Sequence, residues 1–194
     1  MAIDSARIQA AVTELLAAIG DDPARPGLLA TPRRVAEAYA EFFAGIDQDP
    51  LEHLNDATDV GAEAGELGEL VLLRDLDFRS VCEHHLLPFT GVAHLAYVPG
   101  SRIVGLGHLP RVVETLSSRP QLQERLGEQI ADALDTGLTP RGVLVMLDAR
   151  HGCVTARGTR QVDSTTVTVA SRGTLSEPAA QAAVLATIAA GAGA

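Results

Sequence analysis

The chain of 194 residues suits one main domain, long enough to bury a sizeable core without disulfide or metal staples. Its composition is 46% hydrophobic and 21% charged, which is globular, and its formal charge of −10 with all 15 basic residues arginine leaves no broad basic surface for nucleic acid or anionic lipid. With 3% aromatic residues, no apolar run near the roughly 20 residues of a membrane span and no secretion signal in Met1–Ala10, neither a nucleic-acid nor a membrane partner is expected, and the expected location is the cytoplasm.

Ile8, Val12, Leu15, Leu16 and Ile19 recur at three-to-four spacing, so residues 5–19 read as a helix opened by Asp4 or Ser5 and closed by Gly20. A Pro- and Gly-rich stretch follows, and Thr31-Pro32 reads as the N-cap and first turn of a second helix reaching about Phe43. The acidic, Gly-rich segment from Gln48 to Glu69 reads as a surface connection with room for one short helix. Segments 70–80 and 90–99 are rich in apolar and β-branched residues and read as strands. Helices are expected over 108–118 and 120–136, the second with Pro120 in its first turn and an apolar stripe of Leu122, Leu126, Ile130 and Ala133. Val143–Ala149 and Ser164–Ala170 read as two more strands, and the Ala-rich segment 177–190 as a weakly specified helix. The order strand, strand, helix, helix, strand, strand predicts an α+β fold, an antiparallel four-stranded sheet with two helices on one face, preceded by N-terminal helices. The corresponding divisions are a helical extension 1–47, a connection 48–69, a catalytic unit 70–175 and a helical tail 176–194.

Both cysteines stand beside histidines, Cys82 in Cys82-Glu83-His84-His85 and Cys153 in His151-Gly152-Cys153. A thiolate and an imidazole three residues apart at a strand end can reach one ion, and a second thiolate from a distant strand would complete three ligands. Three ligands leave a position open, as in a catalytic zinc; small buried cysteines with histidines nearby remain the alternative. His84 and His151 are then candidates for the acid–base group that hydrolysis at a metal requires, or ordinary structural histidines.

The run Cys82-Glu-His-His-Leu-Leu-Pro-Phe89 followed by Gly91-Val-Ala-His-Leu-Ala-Tyr-Val-Pro99 resembles the signature of the GTP cyclohydrolase I family. Gly27–Ala36, Gln121–Ile130 and His151–Gly158 resemble further blocks of that family in the right order, so the resemblance spans roughly residues 7–175. It implies the T-fold, assembled into a ring-like homo-oligomer, a decamer, with active sites between subunits. Carried over by position, it implies zinc (Zn2+) on Cys82, His85 and Cys153, His151 as the acid–base residue at the purine imidazole, and His84 as a second catalytic histidine. Gln123 and Glu124 correspond to residues that read guanine, a task suited to a carboxylate because it accepts from both N1–H and the exocyclic amine. Without that correspondence both would read as solvated helix positions off the apolar stripe. Arg34, Arg111 and Arg157 correspond to triphosphate-binding positions, where forked donors suit phosphate oxygens. The implied reaction opens the imidazole of GTP at C8, releases formate, rearranges the ribose and closes to 7,8-dihydroneopterin triphosphate.

The family usually has Gly-Leu-Ser-Lys where this chain has Gly105-Leu106-Gly107-His108, so His108 takes the place of a phosphate-facing lysine and a serine hydroxyl is gone. Glu37 and Thr155 also stand where basic residues are common. Triphosphate binding is therefore expected to be weaker or to fall above neutral pH, since an imidazole loses its charge there. Gly107 raises a second reading, a paralogue that stops at a ring-opened or deformylated pyrimidine or takes another guanine nucleotide. A third is a zinc protein that binds nucleotide without turnover.

Overall fold

The computed structural model describes residues 3–61 and 70–191, so parts of the expected connection (62–69) and tail (192–194) lie outside the described residues. Helix α1 (Ser5–Ala18) starts at Asp4, whose carboxylate accepts from the Arg7 N–H at 3.0 Å, and the chain leaves it through Gly20 at φ +90. Helix α2 spans Thr31–Phe42. Thr31 is not its N-cap: the Arg34 N–H already reaches the Ala30 carbonyl at 3.1 Å, so the first helical bond begins one residue earlier, and Pro32 sits in the first turn, where its missing N–H breaks nothing. The apolar stripe of α1 packs along α2 and none of its residues is buried; Leu15 and Ile19 are 59% and 68% exposed.

A short 3-10 turn, Pro50–Leu54, inserts Leu54 into the main core. Strand β1 (Thr58–Asp59) then pairs antiparallel with β4 (Arg102–Ile103), a two-residue ladder too short to leave an alternation in the sequence. The main sheet contains β2 (Val71–Cys82), β3 (Pro88–Val98), β5 (Pro120–Gln121), β6 (Gly142–His151) and β7 (Thr166–Gly173) in the order β5-β2-β3-β6-β7. Its four long strands are antiparallel in sequence, as in a T-fold, and β5 adds a short parallel pairing at the end of β2. Pro120 therefore lies in a strand rather than in a helix: the backbone at Gln121 is taken up beside Cys82, and the helix starts only at Gln123.

Helices α3 (His108–Ser117) and α4 (Gln123–Leu138) cover one face of the sheet. Alternate residues meet them there, Ala93, Leu95 and Tyr97 from β3 and Val143, Val145, Leu147 and Ala149 from β6, packed with Leu109, Val112, Leu116, Leu126, Ile130 and Leu134. The C-terminal helix α6 (Pro178–Gly191) packs Val184 and Ile188 on Ala96 and Leu144 of the opposite face. Strand β6 lies between two neighbours and between two helical layers, which is why its sequence is a continuous apolar run rather than an alternation.

Candidate active site

The C-terminal end of β2, the start of β3, the end of β6 and the start of α4 meet at one end of the sheet, with Phe89 directly opposite His151 and Cys82 beside Gln121. The β2–β3 connection is closed by two backbone bonds of 2.9 Å, Cys82 N–H to the Leu87 carbonyl and Leu86 N–H to the Cys82 carbonyl, with Leu86 at φ +52. That turn presents Glu83, His84 and His85. After β6 the chain bends at once into the short helix α5 (Gly152–Thr155), which carries Cys153. Gly152 is required there because a Cβ would lie 2.8 Å from the Pro88 carbonyl oxygen.

These two bends bring together Cys82, His85 and Cys153, whose ligand atoms all lie within 4.8 Å of one another. Both cysteines are free thiols. Burial pushes the Cys153 thiol up from its ordinary value, and the adjoining Cys82 thiol pushes it further. Two crowded sulfurs and an imidazole form the soft donor set that suits a divalent ion such as zinc, which would hold both sulfurs as thiolates, with one tetrahedral position left over. His84 is exposed, its ring centroid 6.3 Å from that of His85 and nearly perpendicular to it. The Arg157 guanidinium, which can only donate, lies 3.2 Å from His85 Nε2.

His151 lies flat against Phe89, with centroids 4.6 Å apart and planes 2° from parallel, and its Nε2 is 2.7 Å from Gln123 Oε1. Burial lowers its pKa from the usual histidine value, opposed by the charge of Glu124. Gln123 is 1% exposed and not a solvated helix residue, because the first residue of α4 sits over the ends of β6 and β7 rather than outside the sheet. Its amide nitrogen faces the Thr166 carbonyl at 2.7 Å and the Leu147 carbonyl and Thr168 hydroxyl at 3.2 Å. Glu124, one residue on, is exposed, and its carboxylate accepts no hydrogen bond among the described residues.

The remaining predicted contacts are not part of this cluster. Among the described residues, no hydrogen bond or ion pair joins Arg34, His108 or Arg111 to it. Arg34 and Arg111 are exposed, and Arg111 lines a separate cavity of about 750 Å³ with Glu41, Gln48, His53, Asp77 and Arg79. His108 opens α3, and its Nδ1 lies 2.7 Å from the His53 carbonyl oxygen. That oxygen can only accept, so Nδ1 carries a proton and Nε2 can donate outward only as an imidazolium.

Sequence reasoning did not find Phe89 as a support for His151, nor the fork from Arg125 to Glu83 at 2.6 and 3.2 Å that ties the Glu83–His85 turn to α4 and holds the Glu83 carboxyl below its usual range. All three residues stand inside the quoted motifs, but their partners lie 42 or more positions away along the chain, and strand register for Phe89 and the packing of α4 at the sheet end for Glu83 bring them together.

The GTP cyclohydrolase I family model matches residues 8–189. A protein named GTP cyclohydrolase 1 from Leifsonia xyli subsp. xyli is 61% identical over 189 residues, 97% of each chain. Proteins of the same name from Rhodopirellula baltica and Halalkalibacterium halodurans are each 50% identical, over 94% of this chain and 78% of the former, and 96% of this chain and 97% of the latter.

Proposed function

Since the chain belongs to the GTP cyclohydrolase I family, we propose that it hydrolyses GTP at purine C8 with zinc on Cys82, His85 and Cys153, releasing formate and forming 7,8-dihydroneopterin triphosphate. The observation that carries the reading is the convergence of those three donors within 4.8 Å at the sheet end that also holds His151, Gln123 and Glu124. A zinc ion there supplies Lewis acidity, with one coordination position free of protein ligands. His151 holds and returns a proton at the purine imidazole, its depressed pKa favouring the neutral ring that can take one. His84, exposed on the same turn as His85, serves the later proton transfers. Glu124 accepts from guanine N1–H and the exocyclic amine, a pair of donors that adenine does not present.

Arg157 binds triphosphate, and Arg34, His108 and Arg111 do so from neighbouring copies. Their separation from the cluster within one chain supports sites shared between subunits of a homo-oligomer, for which family membership suggests a decamer. The acidic chain binds neither nucleic acid nor a membrane and works in the cytoplasm, supplying pterin and folate synthesis; no helix among the described residues is long and apolar enough to cross a membrane. The serine hydroxyl that Gly107 lacks leaves open space, since nothing lies within 4 Å of a Cβ built there, and a water can fill it.

The test is to incubate zinc-loaded protein with GTP and follow formate release together with pterin fluorescence after oxidation, with His151→Ala as the blank. Formate and pterin together support the complete reaction. Formate without pterin means that catalysis ends before ring closure, and neither product from a zinc-loaded, GTP-bound protein overturns the proposal.

A further inference from the structure

The Gln123 amide can be oriented in only one way. Two of the three groups within reach of its nitrogen are backbone carbonyls, Thr166 at 2.7 Å and Leu147 at 3.2 Å, and carbonyls only accept. The –NH₂ must therefore face them and share its two hydrogens with Thr168 Oγ1 as well, because turning the amide over would press its oxygen against both carbonyls in a buried site. The oxygen is left pointing at His151 Nε2, 2.7 Å away. An amide oxygen cannot donate, so the hydrogen between the two atoms belongs to the histidine.

From this chain of contacts we infer that Gln123 is a positioning residue for His151. It fixes the neutral imidazole as the Nε2–H tautomer and leaves Nδ1 as the nitrogen through which the ring exchanges a proton with substrate. The ring is then held on two sides, in its plane by Gln123 and on its face by Phe89 at 4.6 Å. The inference rests on His151 as the acid–base group and assigns Gln123 to the histidine rather than to guanine, since both its amide hydrogens are already committed. Base reading is left to Glu124, whose carboxylate accepts no hydrogen bond among the described residues.

Two measurements on the full-length, zinc-loaded protein test it. In the first, Gln123→Met removes the oxygen while keeping side-chain length. The expected result is a kcat for GTP lowered about tenfold or more, toward the level of His151→Ala, with KM within about threefold. A KM raised by about tenfold or more with kcat kept would return Gln123 to guanine binding and overturn the inference. In the second, solid-state magnetic resonance of the sedimented, unsubstituted protein labelled with 15N-histidine is recorded at about pH 8, where an ordinary imidazole is neutral. Its His151 signals are identified by their loss in His151→Ala. A protonated Nε2 and a bare Nδ1 are expected, and a protonated Nδ1 overturns the inference even if Gln123→Met does not fold. Full GTP turnover by His151→Ala would instead remove the acid–base role beneath it, a distinct failure.

Discussion

Phe89 packs in the core and stacks on His151, the proposed acid–base residue, so Phe89→Leu should reveal both roles at once. The ring is 1% exposed, meets Phe78 edge-on at 6.0 Å and lies flat on His151 at 4.6 Å. Leucine is nearly as apolar and fits the space, so most of the burial survives and the loss is that of two ring pairs, about 0.5–1.5 kcal/mol each, or about 1–3 kcal/mol together. For a chain of this size that corresponds to a fall in melting temperature of very roughly 2–12 °C, read by scanning calorimetry at fixed protein and zinc concentration. With its face uncovered, His151 is held only through Nε2, and kcat for GTP should fall roughly tenfold from loss of orientation. A variant that melts earlier yet turns over GTP at the original rate would refute the positional part of this reasoning. One that keeps its melting temperature would refute the stacking energy.

Other perturbations probe different parts of the molecule. Cys153→Ser should reduce bound zinc, measured by elemental analysis after dialysis, from about one ion per chain to a small fraction, with the secondary structure retained because the core is built without metal; full zinc retention would exclude Cys153 as a ligand. His108→Lys should lower KM for GTP at about pH 8, since lysine keeps a donating charge there while the His108 Nδ1 hydrogen is spent on the His53 carbonyl, and an unchanged KM would detach His108 from the phosphates. Burial lowers the pKa of His94, 6% exposed, against a partial counter-effect from Asp75. The unfolded chain thus binds a proton that the folded chain refuses. Stability from this residue is full above about pH 6.5 and is lost as pH falls below it; His94→Gln should flatten the fall of melting temperature below about pH 6.5, and an unchanged slope would refute the assignment.

The order of elements was legible because the core strands are apolar and β-branched runs and because α4 keeps a helical stripe, of which Leu126, Ile130 and Ala133 are buried. Pro120 misled because the rule that admits proline to a first helical turn equally admits it to the first residue of a strand, and the pairing of Gln121 with Cys82 is a tertiary fact. The face that α6 buries could not be read, since an alanine-rich helix is apolar all round and has no distinct stripe. In the site, Cys82 and His85 announced themselves by local spacing, and Cys153 by its own histidine. The burial of Gln123 left no trace in the sequence, because it comes from the carbonyls of two strands that reach the helix start only after the sheet has formed.

The same side chain couples the lifetime of the site to the outermost of the long strands. Gln123 grips β7 through Thr166 and Thr168 with one end of its amide and His151 with the other, so a transient opening of β7 releases the histidine while the inner strands stay paired. The relevant free energy is that of local unzipping, which is smaller than that of global unfolding. On warming, loss of turnover is therefore expected before loss of the main hydrogen-bond ladder wherever β7 opens ahead of the inner strands.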